Sequence, residues 1–209
     1  MTLRNSAPPR IVLASASPRR YALLTALGLE IEVMPSAVEE HFNGTPEAMV
    51  LSNACLKRDD TAARLDGPPA VVIAADTLVF LEDEPLGKPA DLDEARAMLR
   101  KLSGRTHEVI TGVAVTDMAS GERTEGSETT GVTFRDLTDE AIGHFVHTVN
   151  PIDRAGAYTV DGPGSLLVAR YEGCYQNVLG LPMVRLDALM QSLGHDLLSL
   201  ADHTRARFL

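Results

Sequence analysis

The chain has 209 residues, 44% of them hydrophobic, and is therefore long enough to bury a sizeable core in one domain. Its 19 basic and 29 acidic side chains give a formal net charge of −10, which argues against broad binding to nucleic acid but allows a small anionic ligand in a locally basic site. The sequence lacks an apolar run near the roughly 18 residues that span a bilayer, a signal-peptide core and a disulfide framework, so we expect a cytoplasmic protein without a membrane partner.

The first predicted elements are a strand over residues 11–14 and a helix that follows it almost at once. Ser17 is a natural N-cap, and Pro18 suits the first helical position. Gly28 ends the helix after a stripe of leucines. This strand-to-helix junction is the sharpest local feature of the sequence.

The same junction carries candidate phosphate ligands. A helix N-terminus offers unpaired N–H groups to an anion, and Ser15 and Ser17 add hydroxyl groups there. Arg19 and Arg20 add guanidinium donors whose geometry matches phosphate oxygens. Two interpretations stay open at this point, a phosphate-binding site or a capped helix with two solvated arginines.

A second helix is predicted over residues 45–65, and the β-branched run 71–80 predicts a buried strand. Asp76 lies inside that run, where burial of a carboxylate costs several kcal/mol unless the group binds a cation or accepts hydrogen bonds. We therefore interpret Asp76 as a functional residue. Lys88, in a tight turn after the strand, is placed to reach a phosphate, although a turn lysine by itself is usually solvated.

The second half of the chain continues the alternation of helices and strands. Further elements are predicted over residues 91–102 (helix), 109–115 (strand), from a turn at Gly121 to Phe134 (strand), from 138 onwards (helix), 165–169 (strand) and 182–194 (helix). This order predicts an α/β fold with a mixed sheet. We expect a lead-in over residues 1–10, one domain over 11–194 and a tail over 195–209.

Three further sets of residues are candidate ligands, and each also has an ordinary structural interpretation. The glycine-bounded segment 173–182 contains Asn177, which either lines a binding site or belongs to a bulge and helix cap. Glu39 and Glu40 offer carboxylate oxygens to a metal ion, but paired glutamates are frequent on loops. Lys57, on the second predicted helix, is by default a surface charge.

Seven short segments together resemble the Maf family of nucleotide pyrophosphatases, in both order and spacing. They are LASASPRR at 13–20, VEE at 38–40, AADT at 74–77, GKP at 87–89, LSGRTH at 102–107, AGAY at 155–158 and YQNVLGLP at 175–182. The resemblance spans residues 11 to 194. It implies an inosine-triphosphate-pyrophosphatase-like α/β fold with two lobes around a cleft, and a homodimer. It also implies hydrolysis of a nucleoside triphosphate to the monophosphate and pyrophosphate with a divalent cation, Mg²⁺ or Mn²⁺.

The resemblance also implies roles for individual residues. Asp76 would accept the proton of the water that attacks the α-phosphorus, and it would share a metal ion with Glu40. Lys57 and Lys88 would neutralise charge in the transition state. The implied substrate-binding residues, with those added by the local patterns above, are Ser15, Ser17, Arg19, Arg20, Thr77, Asp161 and Asn177.

Arg19 and Thr77 resemble the branch of the family that acts on dTTP and UTP rather than the branch that acts on 7-methyl-GTP. That branch usually has glutamine where this chain has Asp161. An ionised carboxylate only accepts hydrogen bonds, which favours a base that presents donors, such as cytosine or guanine. The alternatives are an ITP, XTP or 7-methyl-GTP pyrophosphatase, and a nucleotide-binding regulator of cell division without turnover.

Overall fold

A mixed sheet runs through residues 8–207, which are the residues that the computed structural model describes. Its strands are β1 (Arg10–Leu13), β2 (Ile31–Val33), β3 (Ala70–Leu81), β4 (Glu84–Leu86), β5 (Thr106–Asp117), β6 (Arg123–Phe134) and β7 (Val168–Glu172). The order is β2-β1-β3-β5-β6-β7, with β4 paired to the end of β3. β1 is parallel to both of its neighbours, and the other pairings are antiparallel. The predicted mixed α/β architecture is confirmed.

The described residues contain seven α-helices, of which the first four begin where the capping residues predict. They are α1 (Pro18–Thr25), α2 (Pro46–Arg64), α3 (Leu92–Leu102), α4 (Asp139–Val149), α5 (Tyr175–Val178), α6 (Met183–Ser192) and α7 (Leu197–Leu200). Ser17, Thr45, Asp91 and Thr138 each accept a hydrogen bond from a backbone N–H of the first turn. Among residues 8–207, no helix is both long enough and apolar enough to cross a membrane.

The strand predicted over residues 165–169 is wrong in position. Residues Gly162–Leu166 form a 3₁₀ turn, and β7 begins only at Val168. The turn is tight because Gly164 packs onto the backbone of Thr159, where a Cβ atom would lie 1.7 Å from the carbonyl oxygen. At the other end of the chain, the region predicted as a tail includes α7, whose Leu197 is buried in the core.

β3 is buried along almost its whole length, and one of its faces carries two separate apolar clusters. Ile73 and Ala75 pack in a cluster with α1 and α6. Val79 and Leu81, farther along the same face, pack in a cluster with α3 and α4. Because side chains alternate between the faces of a strand, Thr77 lies on this face between the two clusters.

The edge of β3 is open in the same region. β1 pairs with residues 70–73 of β3, and β4 pairs with residues 79–81, so residues 74–78 have no strand beside them on that edge. β1 ends there and leads into α1. Asp76 and Thr77 therefore sit where side chains from β3, from the β1–α1 junction and from α2 converge.

Gly112 lets α2 lie close to the sheet at this point. It is the β5 residue opposite Asp76, and a Cβ atom on it would lie 2.3 Å from the carbonyl oxygen of Val50 in α2. The absence of a side chain at position 112 is therefore a condition for the contact between α2 and β5.

We expect Gly112→Ala to lower the free energy of unfolding by about 1–3 kcal/mol, because α2 must move away from β5. The matched control is Gly143→Ala in α4, where an added Cβ meets nothing within 4 Å. That change is expected to raise stability by up to about 1 kcal/mol. Urea unfolding measures both, and equal stability for the two variants would contradict this account of Gly112.

Candidate functional site

A cleft of about 810 Å³ opens at the uncovered edge of β3. Most of the residues singled out from the sequence line it, namely Ser15, Ser17, Arg19, Arg20, Glu40, Lys57, Asp76, Thr77 and Lys88. They come from the β1–α1 junction, the loop before α2, α2 itself, β3 and the turn after β4. Asp161 and Asn177 are not among the lining residues.

Asp76 is the buried carboxylate of this cleft, with 3% of its surface exposed. Its Oδ1 lies 2.6 Å from the Nζ atom of Lys57, and its Oδ2 accepts a hydrogen bond from Nδ2 of Asn53 at 3.0 Å. Lys57 also donates to Oε1 of Glu40 at 2.6 Å. The single positive charge of the ammonium group is thus shared between two carboxylates, one buried and one exposed.

A role for Asn53 at this site was not predicted from the sequence, although its spacing from Lys57 indicates one. Asn53 and Lys57 are four residues apart on α2 and therefore project from the same helix face. Asn53 is fully buried, and the backbone N–H and carbonyl of His41 hold its side-chain amide at both ends. A fixed amide next to a fixed ammonium group leaves Asp76 a single orientation.

Glu40 and Asp76 are two carboxylates of the cleft, and the ammonium group of Lys57 lies 2.6 Å from an oxygen of each. Within the described part of the chain, no group of three His, Cys, Asp or Glu residues comes together to hold a metal ion. Glu40 and Asp76 supply two carboxylates, and Mg²⁺ is commonly held by one or two carboxylates with phosphate oxygens and water. These two residues are the ones that could hold such an ion.

Arg20 is occupied by contacts within the protein. Its guanidinium donates to the carbonyl oxygen of Gly180 at 2.8 Å, to Oγ of Ser15 at 3.0 Å and to Oγ1 of Thr77 at 3.0 Å. Burial lowers the pKa of Arg20, and the charge of Asp76 opposes that shift. Arg20 therefore fixes the hydroxyl groups of the cleft wall, and of the two interpretations of the junction the one with solvated arginines does not hold for Arg20.

Ser17 and Arg19 complete the β1–α1 junction. Ser17 acts as the predicted N-cap, with its hydroxyl 3.5 Å from the backbone nitrogen of Arg20. Arg19 is half-buried in the cleft, so it is not a freely solvated side chain either. Burial lowers the pKa of Arg19, and the positive charge of Arg154 lowers it further.

Asn177 does not reach the cleft. It is fully buried, and its side chain donates to the carbonyl of Val109 at 2.8 Å and to Oγ1 of Thr130 at 2.9 Å. It ties α5 to β5 and β6, so of the two interpretations of this segment the structure favours the architectural one for Asn177. The segment contributes to the cleft through Val178, Leu179 and Gly180 instead.

Asp161 is exposed at the margin of the cleft, next to the lining residues Thr159 and Val160. The hydroxyl group of Thr159 donates to its carboxylate. Burial raises the pKa of Asp161, but the hydrogen bond from Thr159 and the charges of Arg19 and Arg154 outweigh burial and lower the pKa. The hydrogen bond from Thr159 thus fixes the carboxylate at the margin of the cleft.

Tyr158 lines the cleft, and its side chain contacts the buried rings of His107 and Phe134. Its hydroxyl oxygen lies 2.7 Å from Nε2 of His107, and the rings of His107, Phe134 and Tyr158 pack edge to face. His107 is only 2% exposed, and burial lowers its pKa from 6.5 to about 4. The folded protein therefore holds a neutral imidazole at pH values where an unfolded chain binds a proton.

This burial predicts a loss of stability in acid. In the unfolded state the His107 side chain binds a proton below pH 6.5, whereas in the folded state it does so only near pH 4. The contribution of His107 to the free energy of unfolding therefore falls by about 3 kcal/mol as the pH drops between these values. Between pH 7 and pH 4, the free energy of unfolding of the wild-type protein should fall by about 3 kcal/mol more than that of His107→Gln, as measured by denaturant titration. His144→Gln, at an exposed position of α4, should follow wild type. Parallel pH profiles for wild type and His107→Gln would contradict the prediction.

Comparison with known proteins shows the family to which the chain belongs. A family model described as Maf-like protein matches residues 10–193. The chain belongs to the Maf-like protein family. A protein of Moorella thermoacetica named dTTP/UTP pyrophosphatase is 46% identical over 189 residues, which cover 90% of this chain and 96% of the relative. A protein of Caldicellulosiruptor bescii with the same name is 42% identical over 193 residues, covering 90% and 97%.

The resemblance inferred from the sequence is thus confirmed at the level of the family. Among solved structures, that of a HAM1 protein from Coxiella burnetii overlaps 61% of this chain and 73% of its own, with 22% identity and a TM-score of 0.44. The family model covers every residue that lines the cleft.

Proposed function

We propose that this chain hydrolyses nucleoside triphosphates to the monophosphate and pyrophosphate, with dTTP and UTP as substrates. The relatives named dTTP/UTP pyrophosphatase support the reaction and the substrates. The observation that carries the proposal is the fixed, buried carboxylate of Asp76, which lies beside Lys57 in a cleft that Arg19 and Lys88 also line. Phosphoryl transfer depends mainly on positioning and on compensation of negative charge, and this cleft supplies both.

Asp76 is the proposed general base. Each of its oxygens already accepts one hydrogen bond, from Lys57 and from Asn53, and each keeps a second lone pair for a water molecule. In the proposed step, Asp76 takes a proton from water as the water oxygen bonds to the α-phosphorus. The bond between the α-phosphorus and its bridging oxygen breaks, and pyrophosphate leaves with that oxygen.

The cations of the cleft have distinct proposed roles. Lys57 compensates the charge of Asp76 and Glu40, and Lys88 approaches the triphosphate from the turn between β4 and α3. Arg19 contacts phosphate directly. Arg20 acts by holding Ser15 and Thr77 at the surface of the cleft, where their hydroxyl groups contact the substrate, and Ser17 maintains the helix cap.

A divalent cation, Mg²⁺ or Mn²⁺, is the proposed cofactor, with Glu40 and Asp76 as the residues that would hold it. Bound with the substrate, it would neutralise charge on the phosphate oxygens. Asp161 is proposed to face the base, where its carboxylate can accept the one N–H donor of thymine or uracil but, unlike the glutamine usual at this position, cannot donate to the carbonyl oxygens beside it. A cytoplasmic location, a homodimer and the absence of nucleic-acid and membrane partners remain predictions.

The decisive test is pyrophosphate release from dTTP, UTP, CTP, GTP, ITP and 7-methyl-GTP in the presence of Mg²⁺. We expect wild type to act fastest on dTTP and UTP. Asp76→Asn keeps the shape of the side chain but removes the base, and it should lower turnover by about 10²–10⁴-fold. Asp83→Asn, in the exposed turn after β3, should retain the rate of wild type.

Absence of pyrophosphate release from every nucleotide would contradict the proposed reaction. An unchanged rate for Asp76→Asn, with release by wild type, would contradict the assignment of Asp76 alone. Thermal melting of each variant excludes loss of the fold as the cause.

A further inference from the structure

Arg154 is a cationic residue of the cleft that neither the sequence patterns nor the proposed mechanism uses. It lies between two 3₁₀ turns after α4, and its side chain is 24% exposed. Its Nε and Nη1 atoms are buried without a hydrogen-bond partner among residues 8–207. Asp153 is near, with Oδ1 3.5 Å from Nε, but its side chain is 80% exposed, so this contact is weak.

Arg19 faces the same cleft and is also unpaired. In the described part of the chain it forms no side-chain hydrogen bond or ion pair, whereas the adjacent Arg20 forms three bonds to protein atoms. Arg19 and Arg154 are close enough for the charge of one to affect the other. Asp161 and Asp153 offset part of this repulsion, but the buried Nε and Nη1 donors of Arg154 keep no hydrogen-bond partner in the described residues, and an anionic ligand would supply one.

The backbone holds Arg154 next to the turn that carries Lys88. The N–H of Gly156 donates to the carbonyl of Gly87 at 3.0 Å and so joins the two turns. Gly156 has a φ of +67°, and a Cβ atom on it would lie 3.2 Å from Cγ1 of Val79. Arg154 and Lys88 are therefore fixed on neighbouring turns that line one cleft.

We propose that Arg154 is a further substrate-binding residue, which together with Arg19 holds a phosphate group of the triphosphate. The identity of the anion rests on the proposed function. That Arg19 and Arg154 bind one anion together is inferred from their guanidinium donors, which lack protein acceptors among residues 8–207, and from their position in the same cleft. A guanidinium binds phosphate through two parallel hydrogen bonds, so the planar fork of Arg154 contributes more than its charge.

The test is calorimetric binding of two probes, inorganic tripolyphosphate and thymidine, to wild type, Arg154→Gln and Arg154→Lys. We expect the glutamine variant to bind tripolyphosphate about 10- to 100-fold more weakly, as the loss of hydrogen bonds to a charged group predicts. The lysine variant keeps the charge without the fork and should show an intermediate loss. Arg170→Gln, on the exposed side of β7, is the matched control and should bind as wild type does.

The proposal is overturned if Arg154→Gln, folded by its melting curve, binds tripolyphosphate like wild type. It is also overturned if thymidine binding falls and tripolyphosphate binding does not, since Arg154 would then contact the base. In the hydrolysis assay the KM of Arg154→Gln should rise by a similar factor with a smaller change in kcat. Weaker tripolyphosphate binding without hydrolysis of any nucleotide would support the anion site and contradict only the proposed reaction.

Discussion

The burial of one carboxylate, Asp76, constrains the rest of the site. A charged group in an apolar strand is tolerated only if its charge and its lone pairs are compensated, and here Lys57 and Asn53 do this from one face of α2. The compensation requires α2 to lie against β5, which the missing side chain of Gly112 permits. The short pairings of β1 and β4 leave the edge of β3 open beside Asp76, so the carboxylate also borders the cleft. The cleft thus lies where the sheet accommodates a buried charge.

The arginines of the cleft divide into two kinds with different chemistry. Arg20 is saturated by protein acceptors, so it stabilises the arrangement of Ser15, Thr77 and Gly180. Within residues 8–207 the Nε and Nη1 donors of Arg154 are buried without a hydrogen-bond partner, and Arg19 lines the same cleft, so both are available to an anionic ligand. On a chain with a net charge of −10, this local concentration of cations is what makes a triphosphate a reasonable ligand.

Local patterns in the sequence predict the elements well and the site in part. Capping residues place the starts of α1, α2, α3 and α4, because a cap acts on backbone groups only a few residues away. Asp76 is recognisable because a charge interrupts an apolar strand. The beginning of β7 is not recognisable from the sequence, because the 3₁₀ turn before it depends on packing between Gly164 and Thr159.

The roles of the polar side chains depend on contacts between distant segments. Asn177 and Asn53 are both buried asparagines, yet one supports the sheet and the other holds the proposed base. Nothing within either segment distinguishes them, since the partners lie 68 and 23 residues away in the chain. Only the spacing of Asn53 from Lys57 on α2 links it to the site. Arg154 likewise acquires its role from the bond between its turn and that of Lys88.

The most direct test of this account is the pH dependence of turnover in Asn53→Asp. The change places a second carboxylate where an amide now lies 3.0 Å from Asp76, and two such groups resist simultaneous ionisation. If Asp76 is the general base, the acid limb of the pH–rate profile should move to higher pH by about one unit or more, and Asn53→Ala, which removes a hydrogen bond to the carboxylate without adding a charge, should move it in the same direction by less. An acid limb that stays at the position of wild type in a folded Asn53→Asp variant would contradict the central role of Asp76.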